Sequence, residues 1–99
     1  MMTITKKLNG TALELAPEGR LDTLSAPELE KVLKESLSGV TSLTLDFGGL
    51  EYLSSAGLRV LLSAQKSMNG RGEMKLVNVN ETIMEIFEVT GFTDILTIE

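Results

Sequence analysis

The chain has 99 residues, 42% of them apolar, and a formal charge of −5. That size holds one small domain with one core, and the apolar content excludes a disordered chain. With no Cys and no His, disulfide frameworks, thiolate or His-ligated metal sites, Cys nucleophiles and Ser-His-Asp triads are excluded, and an acidic balance with no basic run beyond Lys6-Lys7 excludes direct nucleic-acid binding.

The first residues, Met1 to Lys7, carry no apolar stretch behind their charges and do not read as a signal peptide. Met2 to Leu8 alternates weakly, Asn9-Gly10 is a two-residue hairpin turn, and Thr11 to Leu15 alternates again, which predicts a β-hairpin. Gly19-Arg20-Leu21-Asp22 is expected to be a short extended piece that leads into the first helix. Ser25 with Glu28 three positions on reads as a capping box, and Pro27 falls in the first turn, where no donor is missed. Leu29, Val32, Leu33 and Leu37 then recur at helical spacing, with Gly39 as the stop.

Ser42 to Phe47 predicts a strand ending in Gly48-Gly49, followed by a loop to Ser55. Ala56 to Met68 predicts a helix with Leu58, Leu61, Leu62 and Gln65 on one stripe, closed by Asn69-Gly70. Met74 to Val79 is the next strand. A third helix is capped by Asn80, shows Ile83, Ile86 and Phe87 on one face, and stops at Gly91. Asp94 to Ile98 is expected to be a short edge strand or extended tail. The longest uncharged run, around Leu37 to Leu45, is too short and too polar to cross a bilayer. These features predict a soluble, cytoplasmic protein with no direct membrane insertion.

This order predicts an α/β fold: a single domain over residues 1–99 with a mixed sheet of about four to five strands and helices mainly on one face. The hairpin makes one pair antiparallel, and the strand-helix-strand unit from Leu43 to Val79 makes another pair parallel.

Chemistry concentrates at Ser54-Ser55-Ala56-Gly57. A serine at a helix start accepts a hydrogen bond from an orphan backbone N–H. The same position favours a phosphate, because free N–H groups and the helix dipole both attract negative charge. Cap and switch both fit the residues. Gly57 in the first turn lowers helix propensity by up to ~1 kcal/mol relative to Ala, and is expected to bare backbone for the close approach of another chain. Arg59, Ser63, Lys66 and Ser67 form the outward side of this helix, either partner surface or simply solvated. Asp46-Phe47-Gly48 spells the magnesium triplet of protein kinases without a Gly-rich loop before it, and no phosphate-cradling loop with Gly-Lys is present. The acids Asp22, Asp46 and Glu51 read as loop polar groups rather than a catalytic or metal cluster. No cofactor is implied.

Taken together, the span Leu43 to Leu62, the Gly19 to Asp22 approach and the Ala26-Pro27-Glu28-Leu29 helix start resemble the STAS-domain anti-sigma factor antagonists. That family has an apolar strand ending in Asp, a loop, then Asp-Ser-Ser-Gly-Leu leading into a leucine-rich helix. Aligned on Gly57-Leu58, Ser55 falls on the family's phosphorylated serine, Ser54 on its preceding Asp and Ala56 on its second Ser. The resemblance extends to the closing Asn80-to-Phe92 helix.

It implies a binding module, not an enzyme. The unmodified protein would bind a cytoplasmic anti-sigma factor, itself a serine kinase with an ATP-binding fold related to histidine kinases, and so release the sigma factor. Phosphorylation would end the contact and a phosphatase would restore it. The implied acceptor is Ser55, with Ser54 as rival, and the implied partner surface comprises Asp22, Thr23, Ser54, Ser55, Ala56, Gly57, Leu58 and Arg59. Ser54 departs from the family's Asp, and Asp22 and Asp46 are expected to keep the site acidic in its place. The alternative implied role is a non-switching module of the same fold, such as an accessory subunit of a membrane lipid-transport complex.

Overall fold

A computed structural model describes residues 2–99. Its elements in chain order are β1 (Thr3–Asn9), β2 (Ala12–Leu21), α1 (Ala26–Ser36), β3 (Ser42–Asp46), β4 (Leu50–Leu53), α2 (Ser55–Met68), β5 (Glu73–Val77) and α3 (Glu81–Thr90), followed by a 3-10 turn at Phe92–Asp94. The sheet runs β1-β2-β3-β5, with β4 also paired to β2. β1 and β2 are antiparallel, and since Asn9 pairs with Ala12 their two-residue turn is Gly10-Thr11, one position on from the expected Asn9-Gly10; the other pairs are parallel.

Alternation in the strands makes the two faces of the sheet unlike. Leu13, Leu15, Leu43, Leu45, Met74 and Leu76 are buried, while Glu14, Thr44 and Lys75 between them are half-buried. The helices cover the first set, contributing Leu29 and Leu33 from α1, Leu61 and Met68 from α2, and Ile83 and Phe87 from α3 to one core. The mixed sheet with helices on one face is therefore as the sequence predicts.

Four more local expectations change. The two extended pieces expected at Thr11 to Leu15 and Gly19 to Asp22 are one ten-residue strand, β2. Pro17 interrupts the sequence pattern, but it lies beside the gap between β3, which pairs with Ala12 to Leu15, and β4, which pairs with Gly19 to Leu21. Over that gap β2 has β1 alone as neighbour, so proline's missing donor is tolerated. Within the expected Gly48-to-Ser55 loop, Leu50 to Leu53 forms the short strand β4. Its Leu-Glu-Tyr-Leu pattern does not alternate, so it is β2 that makes it a strand.

At α1, Ser25 makes no side-chain cap bond, so the expected capping box does not form; the hydroxyl is turned back toward Arg20 and Asp22 instead. The tail from Asp94 pairs only at Ile98, beside Leu76, with Leu76 N–H donating to Thr97 O and Glu99 N–H to Leu76 O, each over 2.9 Å. Before that bridge the chain is a 3-10 turn in which Phe92 stacks on Phe87 at 6.4 Å between centroids. The α3 boundaries hold as predicted: Asn80 Oδ1 accepts from Ile83 N–H over 2.9 Å, and Gly91 closes the helix at φ 80°.

Candidate functional site

Two loops meet at the far end of β2. One follows Leu21 and leads into α1; the other follows Leu53 and leads into α2. Leu21 and Leu53 are partners in the β2–β4 register, and Ser54 N–H donates to Leu21 O over 2.9 Å. The serine pair thus sits at the carboxyl edge of a parallel strand, the usual place for function in α/β sheets. That strand is β4 rather than the longer β3 expected from sequence.

The first loop is a rigid turn built on Asp22 and Ser25. Asp22 Oδ1 accepts from Leu24 N–H over 3.0 Å and from Ser25 N–H over 3.1 Å. In return Ser25 Oγ accepts from Asp22 N–H over 2.9 Å and donates to Arg20 O over 2.6 Å. Asp22 O then accepts from Ala26 N–H over 2.8 Å, which starts α1. The Ser25 backbone hydrogen bond is the main cause that holds the Asp22 carboxyl below its ordinary pKa of 3.8; the bonds from Leu24 N–H and the Ser25 hydroxyl and the charge of Arg20 add to it, against partial desolvation. The Arg20 guanidinium stands 3.7 Å from Asp22 Oδ2 and 4.3 Å from the centre of the Tyr52 ring. Thr23 and Leu24 form the exposed tip, Leu24 being 89% exposed. Leu24 is absent from the surface expected from sequence, although a large apolar residue inside a polar turn just before a helix marks it.

In the second loop the two serines divide the work. Ser54, half-buried and extended at ψ 175°, is the N-cap of α2: its Oγ accepts from Gly57 N–H over 3.4 Å and its carbonyl from Leu58 N–H over 3.0 Å. Ser55 is the first residue of α2 and is exposed, and among the described residues its hydroxyl has no hydrogen-bond partner. Ala56 is half-buried and Arg59 is exposed, as are Ser63, Lys66 and Ser67 further along.

Gly57 and Leu58 are buried, which corrects two expectations. A Cβ on Gly57 would stand 2.6 Å from Leu53 Cδ1 and 2.8 Å from Leu21 Cγ. The close approach that this glycine permits is by its own chain, not by another, and Leu58 lies beneath the surface rather than on it. Asp46 is corrected too. Its Oδ1 accepts from Gly48 N–H over 2.9 Å and Asn78 Nδ2 over 3.0 Å, which ties it to the end of β5. Its neighbour Leu45 pairs with Leu15, whereas Leu53 pairs with Leu21. Those levels are six β2 residues apart, roughly 20 Å of strand, so of the two acids Asp22 lies beside the serine pair and Asp46 does not. Glu51 is exposed on β4. Among the described residues no three acidic side chains group as metal ligands, and no helix is long and apolar enough to cross a membrane.

The profile of the STAS domain family matches residues 3–99. A Bordetella bronchiseptica protein that carries the provisional name anti-sigma factor antagonist BtrV is 35% identical over 83 residues, 82% of this chain and 72% of its own. The anti-sigma-B factor antagonist of Bacillus subtilis is 28% identical over 98 residues, 98% of this chain and 90% of its own. Among solved structures, an anti-sigma factor antagonist from Mycobacterium paratuberculosis superposes with a TM-score of 0.90 at 18% identity, covering 99% of this chain and 85% of the other. SpoIIAA has the same fold in its unphosphorylated form, with a TM-score of 0.76 at 15% identity over 100% of this chain and 87% of the other. Its phosphorylated form gives 0.77 at 16% over 98% and 91%. With a sheet of this order, three helices on one face and a match over nearly its whole length, the chain belongs to the STAS domain family.

Proposed function

We propose that this chain is an anti-sigma factor antagonist switched by phosphorylation of Ser55. In the unmodified state it binds an anti-sigma factor that is also a serine kinase of the histidine-kinase-like ATPase fold, in the cytoplasm, and so releases the sigma factor. The contact surface is the exposed part of the two converging loops: Asp22, Thr23, Leu24, Ser55 and Arg59, with Ser54 and Ala56 at its floor. The names of the relatives support the first part of this reading.

The observation that carries the switch is the unequal state of the two serines. Ser54 is half-buried and its oxygen is engaged by Gly57 N–H, whereas the Ser55 hydroxyl is exposed and has no hydrogen-bond partner among the described residues. A kinase reaches the second without breaking the helix cap. In the transfer, Ser55 Oγ attacks the γ-phosphorus of ATP, the bond to the β-phosphate bridging oxygen breaks, ADP leaves, and the hydroxyl proton passes to a base of the kinase. The product carries about −1.5 to −2 charges at neutral pH. A phosphate is compatible with the start of α2 itself. At a protein contact it must be desolvated, beside an Asp22 carboxylate that stays ionised, and docking is opposed. The switch therefore acts on the interface rather than by refolding, and a serine phosphatase reverses it.

Incubation with the cognate anti-sigma kinase and ATP, followed by mass-spectrometric mapping, tests the proposal. Phosphate on Ser55 and loss of binding by the modified chain are expected. Modification of neither serine, with binding unaffected by Ser55→Asp, sinks the switch and leaves a non-switching binding module.

A further inference from the structure

We propose that Arg59 is the intramolecular partner of the phosphate on Ser55, so that modification both adds charge and withdraws a cation from the contact surface. The inference rests on Ser55 being the acceptor and concerns what its phosphate then does. Ser55 and Arg59 are four residues apart on α2, a spacing that places side chains one above the other on the same helix face, about 5–6 Å apart at Cβ. Both are exposed.

Arg59 is also uncommitted. The ion pairs of the described residues are Arg20 with Asp22, Lys34 with Glu30, and Lys75 with Glu99, and Arg59 belongs to none of them. α2 contains no Asp or Glu. The residues three and four away from Arg59 are Ser55, Ala56, Leu62 and Ser63, so no carboxylate on the helix competes for the guanidinium. Of these four, Ser55 is the one that the proposed switch turns into an anion. The anion stands N-terminal to the cation, the better of the two orders for such a pair. A guanidinium takes a phosphate through two parallel N–H donors, a geometry an ammonium does not reproduce.

The other cation of the site, Arg20, is already placed against Asp22 and over the Tyr52 ring. Asp22 is the acid that faces the same opening from the β2–α1 loop, and it favours capture of Arg20 rather than of a second anion. The free chain thus presents Arg59 to an acidic group of the partner, and the phosphorylated chain turns it inward on itself.

Phosphoserine installed at position 55 of the full chain by genetic-code expansion allows a direct test, because no kinase is needed. The phosphate is titrated by phosphorus NMR in the parent, in Arg59→Gln, in Arg59→Lys and in Arg20→Gln. The pairing predicts a second phosphate pKa below the usual ~6. It predicts a rise of about 0.15–0.4 pH unit in Arg59→Gln, partial retention of the lowered value in Arg59→Lys, and no change in Arg20→Gln. Superimposable curves for the parent and Arg59→Gln overturn the proposal, as does a rise in Arg20→Gln instead. Binding of the same phosphorylated chains to the anti-sigma factor is read separately. Retained binding despite the Arg59 shift refutes the switch and leaves the pair standing, whereas lost binding with superimposable titrations refutes the pair and leaves the switch.

Discussion

Gly57 and Leu21 pack so closely that a Cβ on the glycine would lie 2.8 Å from Leu21 Cγ and 3.1 Å from Leu21 O. That carbonyl is the same one that accepts from Ser54 N–H. The start of α2 is therefore pressed against the end of β2 and bonded to it at one point, which brings the two loops of the site into one surface.

The first prediction follows from this contact. Gly57→Ala gains up to ~1 kcal/mol of helix propensity, but overpacking against Leu21 and Leu53 opposes it with about 1–3 kcal/mol. Net destabilisation is expected in urea unfolding, with weaker partner binding because the loops are forced apart. A variant as stable as the parent would mean that α2 can shift away from β2 at no cost.

The serines separate in stability as they do in geometry. Ser54→Ala removes the oxygen that caps Gly57 N–H and is expected to lower stability by about 0.5–1 kcal/mol, the weaker part of the range for caps, given the 3.4 Å bond. Ser55→Ala touches no hydrogen bond and is expected to stay within ~0.5 kcal/mol of the parent. Chemical denaturation measures both. With the kinase, Ser54→Ala still accepts phosphate and Ser55→Ala does not; the reverse pattern exchanges their roles.

Leu24 is expected to matter for binding and not for folding. Its side chain is 89% exposed at the tip of a turn already fixed by Asp22 and Ser25, so little ordering opposes its insertion into an apolar pocket. Leu24→Ser should unfold with the parent, within ~0.5 kcal/mol, yet bind the anti-sigma factor at least about tenfold more weakly by calorimetry, roughly 1.4 kcal/mol. Unchanged affinity would place the contact elsewhere.

Acid should loosen the same turn. The folded-state pKa of Asp22 is depressed below 3.8, chiefly by the backbone hydrogen bond from Ser25. For a depressed carboxyl the stabilisation is present above the unfolded value and is lost as pH falls through the folded one. Asp22→Asn keeps an acceptor oxygen but no charge. Its deficit relative to the parent is expected to be constant at neutral pH and to shrink below about pH 3.8, the ordinary value of this group. Thermal unfolding of the two chains across that window checks it, and a deficit that grows on acidification has the wrong sign.

The reach of the sequence differs from element to element. Asn80 and Gly91 act through their own backbone and nearest neighbours, and both ends of α3 lie where the residues predict; the hairpin also forms, with its turn one residue on, at Gly10-Thr11. The buried alternation of Leu13, Leu15, Leu43 and Leu45 is likewise local, and it sets one covered face of the sheet. The Ser54 cap ahead of the leucine-rich stripe of α2 is local too, written in a few adjacent residues.

Other features were settled only by distant residues. β4 has no alternation of its own and exists because the far half of β2 pairs with it. Gly57 reads as bare backbone until Leu21 and Leu53 are packed over it. Asp46 and Asp22 read alike as strand-end acids until register separates them by roughly 20 Å. The reason is the same in each case: side-chain chemistry and backbone propensity are properties of a few neighbouring residues, whereas burial, register and access are decided by which strand lies alongside.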